Sequence, residues 1–395
     1  MDLRESADDR TFRDEVRTFL EEGLGGDFAA VRGRGGPGDE HALFDERLAW
    51  ERHLGAHGWT CVGWPKQHGG RGLSLRRHVV YHEEYARARG PGRLGHIGET
   101  LLGPTVIAFG SPSQQQRFLP PIVAGDELWC QGYSEPDAGS DLANVATRAV
   151  PSPEGDEWVV EGQKVWTSLA HWADWCFVLA RTAPPGPGES KHAGLSYLLV
   201  PMHQDGIEVR PIVQMTGDSE FNEVFFSGAR TATGNVVGGE GRGWAVAMGT
   251  LAFERGASTL GQQLNFRNEL AHVTAVARRT GVADDPVMRQ RLAQAHIGLE
   301  IMRLNALRTL AGSESGTLGR EALVGKLYWA TFHRGLGELA MDVLGAAALV
   351  SGDPEVDALA RVFLFSRADT IYAGSNEIQR NIIGERGLGL PREPR

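Results

Sequence analysis

At 395 residues, 41 % of them hydrophobic and 23 % charged, the chain is long enough for two or three units with real cores. A net charge of −10, with no basic block, argues against nucleic acid and anionic membrane surfaces as partners. Three widely spaced cysteines, Cys61, Cys130 and Cys176, argue against a disulfide framework or a zinc site and fit a reducing cytoplasm.

The charged start Met1-Asp2-Leu3-Arg4-Glu5 lacks an apolar signal core, and no apolar run has the length of a bilayer span. Phe12, Val16, Phe19 and Leu20 share one helical stripe and predict a helix over 8–22. Residues 25–40, rich in glycine and charge, read as a mobile loop. Leu43, Phe44, Leu48 and Leu54 predict a helix over 41–57, and further helices are expected at 74–89 and around 99–109. The character changes near Asp126. Alternating apolar runs at Leu128–Tyr133, Glu157–Glu161, Cys176–Arg181, Leu195–Val200, Ile207–Ile212 and Asn222–Phe226 read as successive short strands. The segment from Thr182 to Gly194, with Pro184-Pro185-Gly186-Pro187-Gly188, reads as an exposed loop. From Gly243 the helical period returns over 243–280, 285–313, 318–351 and 354–370, and Val343–Val350 reads as buried helix. The expected class is α+β, with a helical domain at 1–125, an antiparallel β domain at 126–238 and a helical domain at 239–395.

Several chemical signatures are weak or missing. The cluster Gly238-Gly239-Glu240-Gly241-Arg242-Gly243 opens a helix, but Trp244 displaces the third glycine of a dinucleotide turn, so it reads as a connecting loop. His53/His57 and His78/His82 have i,i+4 spacing without H-E-x-x-H and read as surface histidines, so no metal site is expected. Neither G-x-S-x-G nor a Walker A sequence occurs.

Three runs stand apart: Tyr133-Ser134-Glu135-Pro136-Asp137-Ala138-Gly139-Ser140-Asp141, Lys164-Val165-Trp166-Thr167-Ser168, and Thr370-Ile371-Tyr372-Ala373-Gly374-Ser375-Asn376-Glu377-Ile378-Gln379-Arg380. Pro136-Asp137 alone would suit a simple β-turn. Together, with Gly63-Trp64-Pro65-Lys66-Gln67-His68-Gly69-Gly70 and the closing N-I-I-G-E-R-G-L-G-L-P-R, the runs resemble the flavin-dependent acyl-CoA dehydrogenases over nearly the whole chain. The resemblance implies a helical domain, a central β domain and a C-terminal four-helix bundle, with FAD held partly by a neighbouring subunit. It implies that Tyr133 and Ser134 run along the flavin, Trp166 packs on its ring, and Thr167 and Ser168 belong to the same motif, Ser168 placing a hydroxyl near N5. Ser140 falls where the family contacts the pyrophosphate and the thioester. Ser375, Asn376 and Glu377 match positions at the dinucleotide end, as does the segment from Asp342 to Ala346 of a partner chain.

The reaction implied is removal of an α-proton while hydride leaves the β-carbon for the flavin, giving a trans-2-enoyl thioester. Much of the family carries its base between the Tyr and the Gly, where this chain has Ala373. Alanine takes no proton but keeps the backbone amide that in this family holds the thioester oxygen. A minority of the family carries the carboxylate on a bundle helix in an L-x-x-E-R pattern, and Leu251-Ala252-Phe253-Glu254-Arg255 matches it. A solvated helix glutamate is the commoner fate of a Glu-Arg pair. The missing base at 373 makes Glu254 the expected general base. Adjacent helix residues do not share a face, so Arg255 does not crowd it. Arg255, Tyr372 and Gly374 join Ser140 as expected substrate-side positions.

The chain also departs from the family. Residues 278–286 lack the usual Phe-Gly of R-x-x-F-G, and Asp342 and Ala346 replace the Gln and final Gly of Q-x-x-G-G. Both motifs serve the inter-subunit FAD contact, and their loss resembles bacterial members that pair with a related chain. A homotetramer or a heterotetramer is expected, with electron-transfer flavoprotein or a similar acceptor as redox partner. Two alternatives stay open: the same oxidation on a carrier-protein thioester, and a non-catalytic subunit completing a partner's FAD site.

Overall fold

The structure, a computed structural model, describes residues 6–253, 257–312, 319–350 and 352–392. The expected base Glu254 and its neighbour Arg255 lie outside the described residues. In chain order the elements are α1 (Ala7–Gly25), α2 (Phe44–Ala56), α3 (Leu75–Arg87), α4 (Gly103–Phe109) and α5 (Pro112–Ala124). The strands follow: β1 (Trp129–Gly132), β2 (Arg148–Pro151), β3 (Glu157–Ser168), β4 (Trp175–Arg181), β5 (Leu195–Pro201), β6 (Ile207–Ile212), β7 (Phe221–Ala232) and β8 (Val236–Val237). The chain ends in α6 (Gly243–Phe253), α7 (Ala257–Arg279), α8 (Pro286–Gly312), α9 (Gly325–Leu344), α10 (Pro354–Phe365) and α11 (Asn376–Ile382). The order is helical, then β, then helical, as expected.

The chain forms two compact units. One comprises residues 26–74 and 91–254 and holds the sheet. Its strands run in the order β6-β7-β3-β2-β4-β5-β8, with β1 beside β4. The pairings are antiparallel except for β1 and one residue pair of β2, which run parallel to β4. β4 is buried on both faces, so its apolar residues are continuous rather than alternating. Phe177 and Leu179 pack with Leu102, Val106, Phe118 and Val246 of the helices, while Cys176, Val178 and Ala180 join Val160, Leu198, Val224 and Phe226 in a second core.

The long strands β3 and β7 exceed the expected short runs because they pair end to end, from Glu157↔Ala232 to Ser168↔Phe221. Irregularities at Val160/Glu161 and Lys164/Thr167 break their alternation and hide that length in the sequence. α5 begins with a reciprocal cap: Gln114 N–H donates to Ser111 Oγ at 3.2 Å, and Ser111 N–H donates to Gln114 Oε1 at 2.9 Å. At the start of α6, a Cβ on Gly243 would lie 2.4 Å from the Ser196 carbonyl carbon, so only glycine lets helix and strand approach this closely.

The stretch expected to be a mobile loop is anchored instead. Gly38 and Glu40 donate backbone N–H groups to Glu220 and Asp218 at 3.1 and 2.7 Å. Arg47, fully buried, donates to Gly92 O and to the Glu40 carboxylate at 2.8 Å each. Glycine-rich composition signalled turns but not these long-range partners.

The other unit comprises residues 1–25, 75–90 and 255–395. α7, α8, α9 and α10 pack around Phe266, Leu270, Val273, Leu299, Trp329, Leu336, Leu339 and Leu359. α1 packs on α3 and α3 on α7. Val343–Val350 is not a buried helix. Gly345, at φ 56°, ends α9, and the following turn leaves Leu349 90 % exposed.

Candidate active site

Within the sheet unit, the first motif leaves β1 and folds into a tight turn. Glu135 and Ala138 exchange backbone hydrogen bonds at 2.9 and 3.0 Å around Pro136-Asp137. The turn is tied down from below by Lys164, which is fully buried. Its ammonium donates to Glu135 Oε1 at 2.7 Å, Leu179 O at 2.7 Å and Tyr133 O at 3.1 Å. Glu135 also accepts from the N–H groups of Ala146 and Thr147, at 2.5 and 3.0 Å. Burial alone would raise the Glu135 carboxyl, but the Lys164 charge and these hydrogen bonds hold it below the ordinary range. Burial pulls Lys164 down, opposed by Glu135. Val165 N–H donates to Ser134 O at 2.9 Å, so the first two motifs form one piece.

Past Lys164 the β3–β7 register slips, and Trp166 takes a left-handed conformation at φ 59°. This region is rare for a bulky residue and is retained where the surroundings enforce it. The indole is 56 % exposed, while Thr167 is fully buried and its hydroxyl meets no partner among the described residues. Ser168 is half-buried and pairs with Phe221. An exposed indole held in a strained conformation suits stacking on a flat aromatic ligand, so Trp166 fits a flavin ring.

Glu220, next to this strand end, was not singled out by any motif. It is buried beside Glu40 and Asp218, and burial pushes its carboxyl up to about 8, with the Gly38 N–H opposing. The folded state thus holds a proton that the unfolded chain releases near 4.5. Its contribution to stability is complete below that value and is lost as the pH rises to about 8. Glu220→Gln is expected to raise the melting temperature by several degrees at pH 8.5 and to change it little at pH 5. Equal shifts at the two pH values in thermal melts would contradict this.

In the helical unit, Ala373 and Gly374 form a turn with two successive left-handed residues, φ 52° and 84°. Gln379, buried on α11, donates its amide to Ala373 O at 3.0 Å. Among the described residues no acceptor meets the Ala373 N–H, which leaves it available to an oxygen. Ser375 caps α11, accepting from Ile378 N–H at 3.4 Å. Asn376 is buried with its Oδ1 unpartnered, and Glu377 is exposed. Tyr372 directs its hydroxyl to Asp369. Asp342, at the end of α9, is exposed and pairs with Arg291, and Ala346 lies in the exposed turn that follows. The last motif thus gathers Tyr372 to Glu377 at one place, with Asp342 and Ala346 on the exposed end of α9 and the turn after it.

Models of the N-terminal, middle and C-terminal domains of acyl-CoA dehydrogenases match residues 6–126, 130–229 and 241–388. The chain belongs to the acyl-CoA dehydrogenase family; it is an oxidoreductase acting on acyl-CoA thioesters, and membership implies a flavin. It is 59 % identical to acyl-CoA dehydrogenase IpdE1 of Mycolicibacterium smegmatis over 390 residues, covering 97 % of this chain and 98 % of that one. The IpdE1 of Mycobacterium tuberculosis is 59 % identical over 382 residues, with the same coverage. Among solved structures, the Tcur3481-Tcur3483 steroid ACAD superposes with a TM-score of 0.86 at 32 % identity, over all of both chains. The ChsE4-ChsE5 complex from Mycobacterium tuberculosis gives 0.83 at 31 %, again over all of both chains. Among the described residues no helix is long and apolar enough to cross a membrane.

Proposed function

We propose that this chain desaturates a bulky acyl-CoA with Glu254 as the α-proton base and the Ala373 amide as the donor to the thioester oxygen. The observation that carries the reading is the Ala373 turn: the carboxylate is absent, yet the amide meets no acceptor among the described residues and the carbonyl is held by Gln379. A donor aimed at the thioester oxygen stabilises the enolate-like charge that builds as the α-proton leaves. FAD, when bound, accepts the hydride lost from the substrate's β-carbon. Tyr133, Ser134, Trp166, Thr167 and Ser168 would hold its ring system, and Ser140, Ser375, Asn376 and Glu377 its phosphate and dinucleotide portions. Arg255 and Gly374 belong to the substrate side, as does the backbone of Tyr372, whose hydroxyl is turned to Asp369.

Two further points follow from the relatives. One solved relative is described as a steroid enzyme, and alanine in place of a carboxylate leaves room beside the α-carbon. Both support a polycyclic or branched acyl group over a short linear one. Both solved relatives are also two-chain assemblies. Asp342, Gly345 and Ala346 are exposed, with Leu349 bare beside them, which supports a related second chain covering this end of the bundle. The electron acceptor is proposed to be an electron-transfer flavoprotein.

The test is anaerobic reduction of the flavin-loaded protein, alone and co-expressed with a related chain. The panel holds short, branched, long-chain and steroid side-chain acyl-CoAs, with matching carrier-protein thioesters. Fastest bleaching by the polycyclic CoA thioester is expected. Preference for the carrier-bound form, or bleaching only by short linear substrates, would refute the substrate assignment.

A further inference from the structure

Behind Ala373 lies a buried set of charged groups that the proposed chemistry does not use. His333 falls on the inward stripe of α9 with Trp329, Ala330, Leu336 and Ala340, and is 6 % exposed. Its Nδ1 meets Asp369 Oδ2, and its Nε2 lies 2.9 Å from Glu269 Oε2 on α7. The second contact has the distance of an ion pair but not hydrogen-bond geometry, since both atoms lack a hydrogen-bond partner. Phe266 stacks on the ring at 4.2 Å. Asp369 is itself buried. Its other carboxylate oxygen accepts from the Tyr372 hydroxyl, and its backbone carbonyl accepts from Lys326, which is buried on α9. The cluster holds two carboxylates, one ammonium and one imidazole. Burial alone would keep the imidazole neutral, but Glu269 and Asp369 raise it to about 9, so it is a cation at neutral pH and the cluster balances.

This arrangement ties α7 and α9 to the residue that precedes the Ala373 turn. A non-glycine residue at φ 52° is strained and persists only where both flanks hold it. On the C-terminal flank Gln379 grips the Ala373 carbonyl. On the N-terminal flank the Tyr372 N–H donates to Ala368 O at 3.1 Å, and the side-chain anchor is the Tyr372 hydroxyl on Asp369. We infer that the chain Glu269–His333–Asp369–Tyr372, buried at His333 and Asp369, is a positioning device that sets the direction of the Ala373 amide. The inference rests on the reading of that amide as the thioester-oxygen donor. Tyr372 and Asp369 act through the turn, as positioning residues, because an oxyanion donor is effective only when its angle is fixed beforehand.

The test uses the full-length, flavin-loaded protein with Tyr372→Phe and Asp369→Asn. Two quantities are read: the rate constant and KM for anaerobic flavin reduction, and the pH at which bound acetoacetyl-CoA ionises, followed by its own enolate absorbance. Tyr372→Phe removes one hydroxyl and is expected to keep flavin content and melting temperature. The reduction rate should fall roughly tenfold with KM nearly unchanged, and ionisation of the probe should shift up by about one pH unit, the equivalent of that tenfold loss. Asp369→Asn should do more. Where it fails to fold, Tyr372→Phe decides alone. Unchanged rate and unchanged probe ionisation in Tyr372→Phe, beside an active wild type, overturn the inference while leaving the function intact. A loaded wild type that neither bleaches nor ionises the probe overturns the functional reading, and this inference with it.

Discussion

Glu254→Gln is expected to give a yellow protein, with flavin bound at the wild-type ratio, that acyl-CoA bleaches at least ~10²–10⁴-fold more slowly. The expectation follows from what position 373 lacks. A thioester α-proton is weakly acidic, and its removal needs a side-chain base within hydrogen-bond reach of the carbon. Alanine offers none, and the amide at 373 only stabilises the product of the transfer. Glutamine keeps the size and polarity of Glu254 while abolishing its basicity, so flavin content serves as the internal control. Bleaching at the wild-type rate would remove Glu254 from the mechanism. A companion variant, Ala373→Glu, puts a carboxylate back at the commoner position. It recovers part of the activity of Glu254→Gln on small substrates if the pocket has been emptied for acyl bulk.

The second large effect is structural. Lys164→Met removes the ammonium that holds three acceptors at once and leaves Glu135 buried without its counter-ion. Breaking such a pair from one side costs roughly 3–5 kcal/mol, because the remaining charge stays uncompensated. For a unit of this size that corresponds to a fall in melting temperature on the order of 10 °C. The flavin content should fall as well, since Lys164 joins the Tyr133–Ser134 segment to the strand that presents Trp166. Adding Glu135→Gln to Lys164→Met should recover part of the loss, which a double-mutant cycle would measure. A single variant as stable and as yellow as wild type would show that the pair is dispensable.

Much of this was legible in the chain, for physical reasons. α9 and α10 carry a clear 3.6-residue period, and the inner strands carry apolar runs between glycine and proline. The three motifs named the residues that the structure places at the strand end and in the 372–377 turn. Less legible was whatever depends on distant partners. The 25–40 segment looks loose in composition, yet it is fastened by Glu220 and Asp218, both distant in sequence, and by the buried Arg47 just beyond it. β3 and β7 looked short because their irregularities interrupt the alternation. The apolar run Val343–Val350 reads as buried because apolar residues usually are, but only Val343 is buried, and from Gly345 onward the run lies past the end of α9. Two residues in the sequence point to such distant partners. Lys164 falls at an inward position of a strand, and His333 falls on the apolar stripe of α9. A charge or an imidazole on an inward stripe announces a partner held elsewhere in the chain.

The helical unit is assembled from three separated stretches of chain. α1 and α3 belong with α7, which begins only at Ala257. During synthesis at about 5–20 residues per second, α1 leaves the ribosome on the order of tens of seconds before α7 exists. α1 meets α3 early, but the surface of α3 that packs on α7 has no partner until then. A fragment that stops before α7 is therefore expected to be cut faster in limited proteolysis than the whole chain.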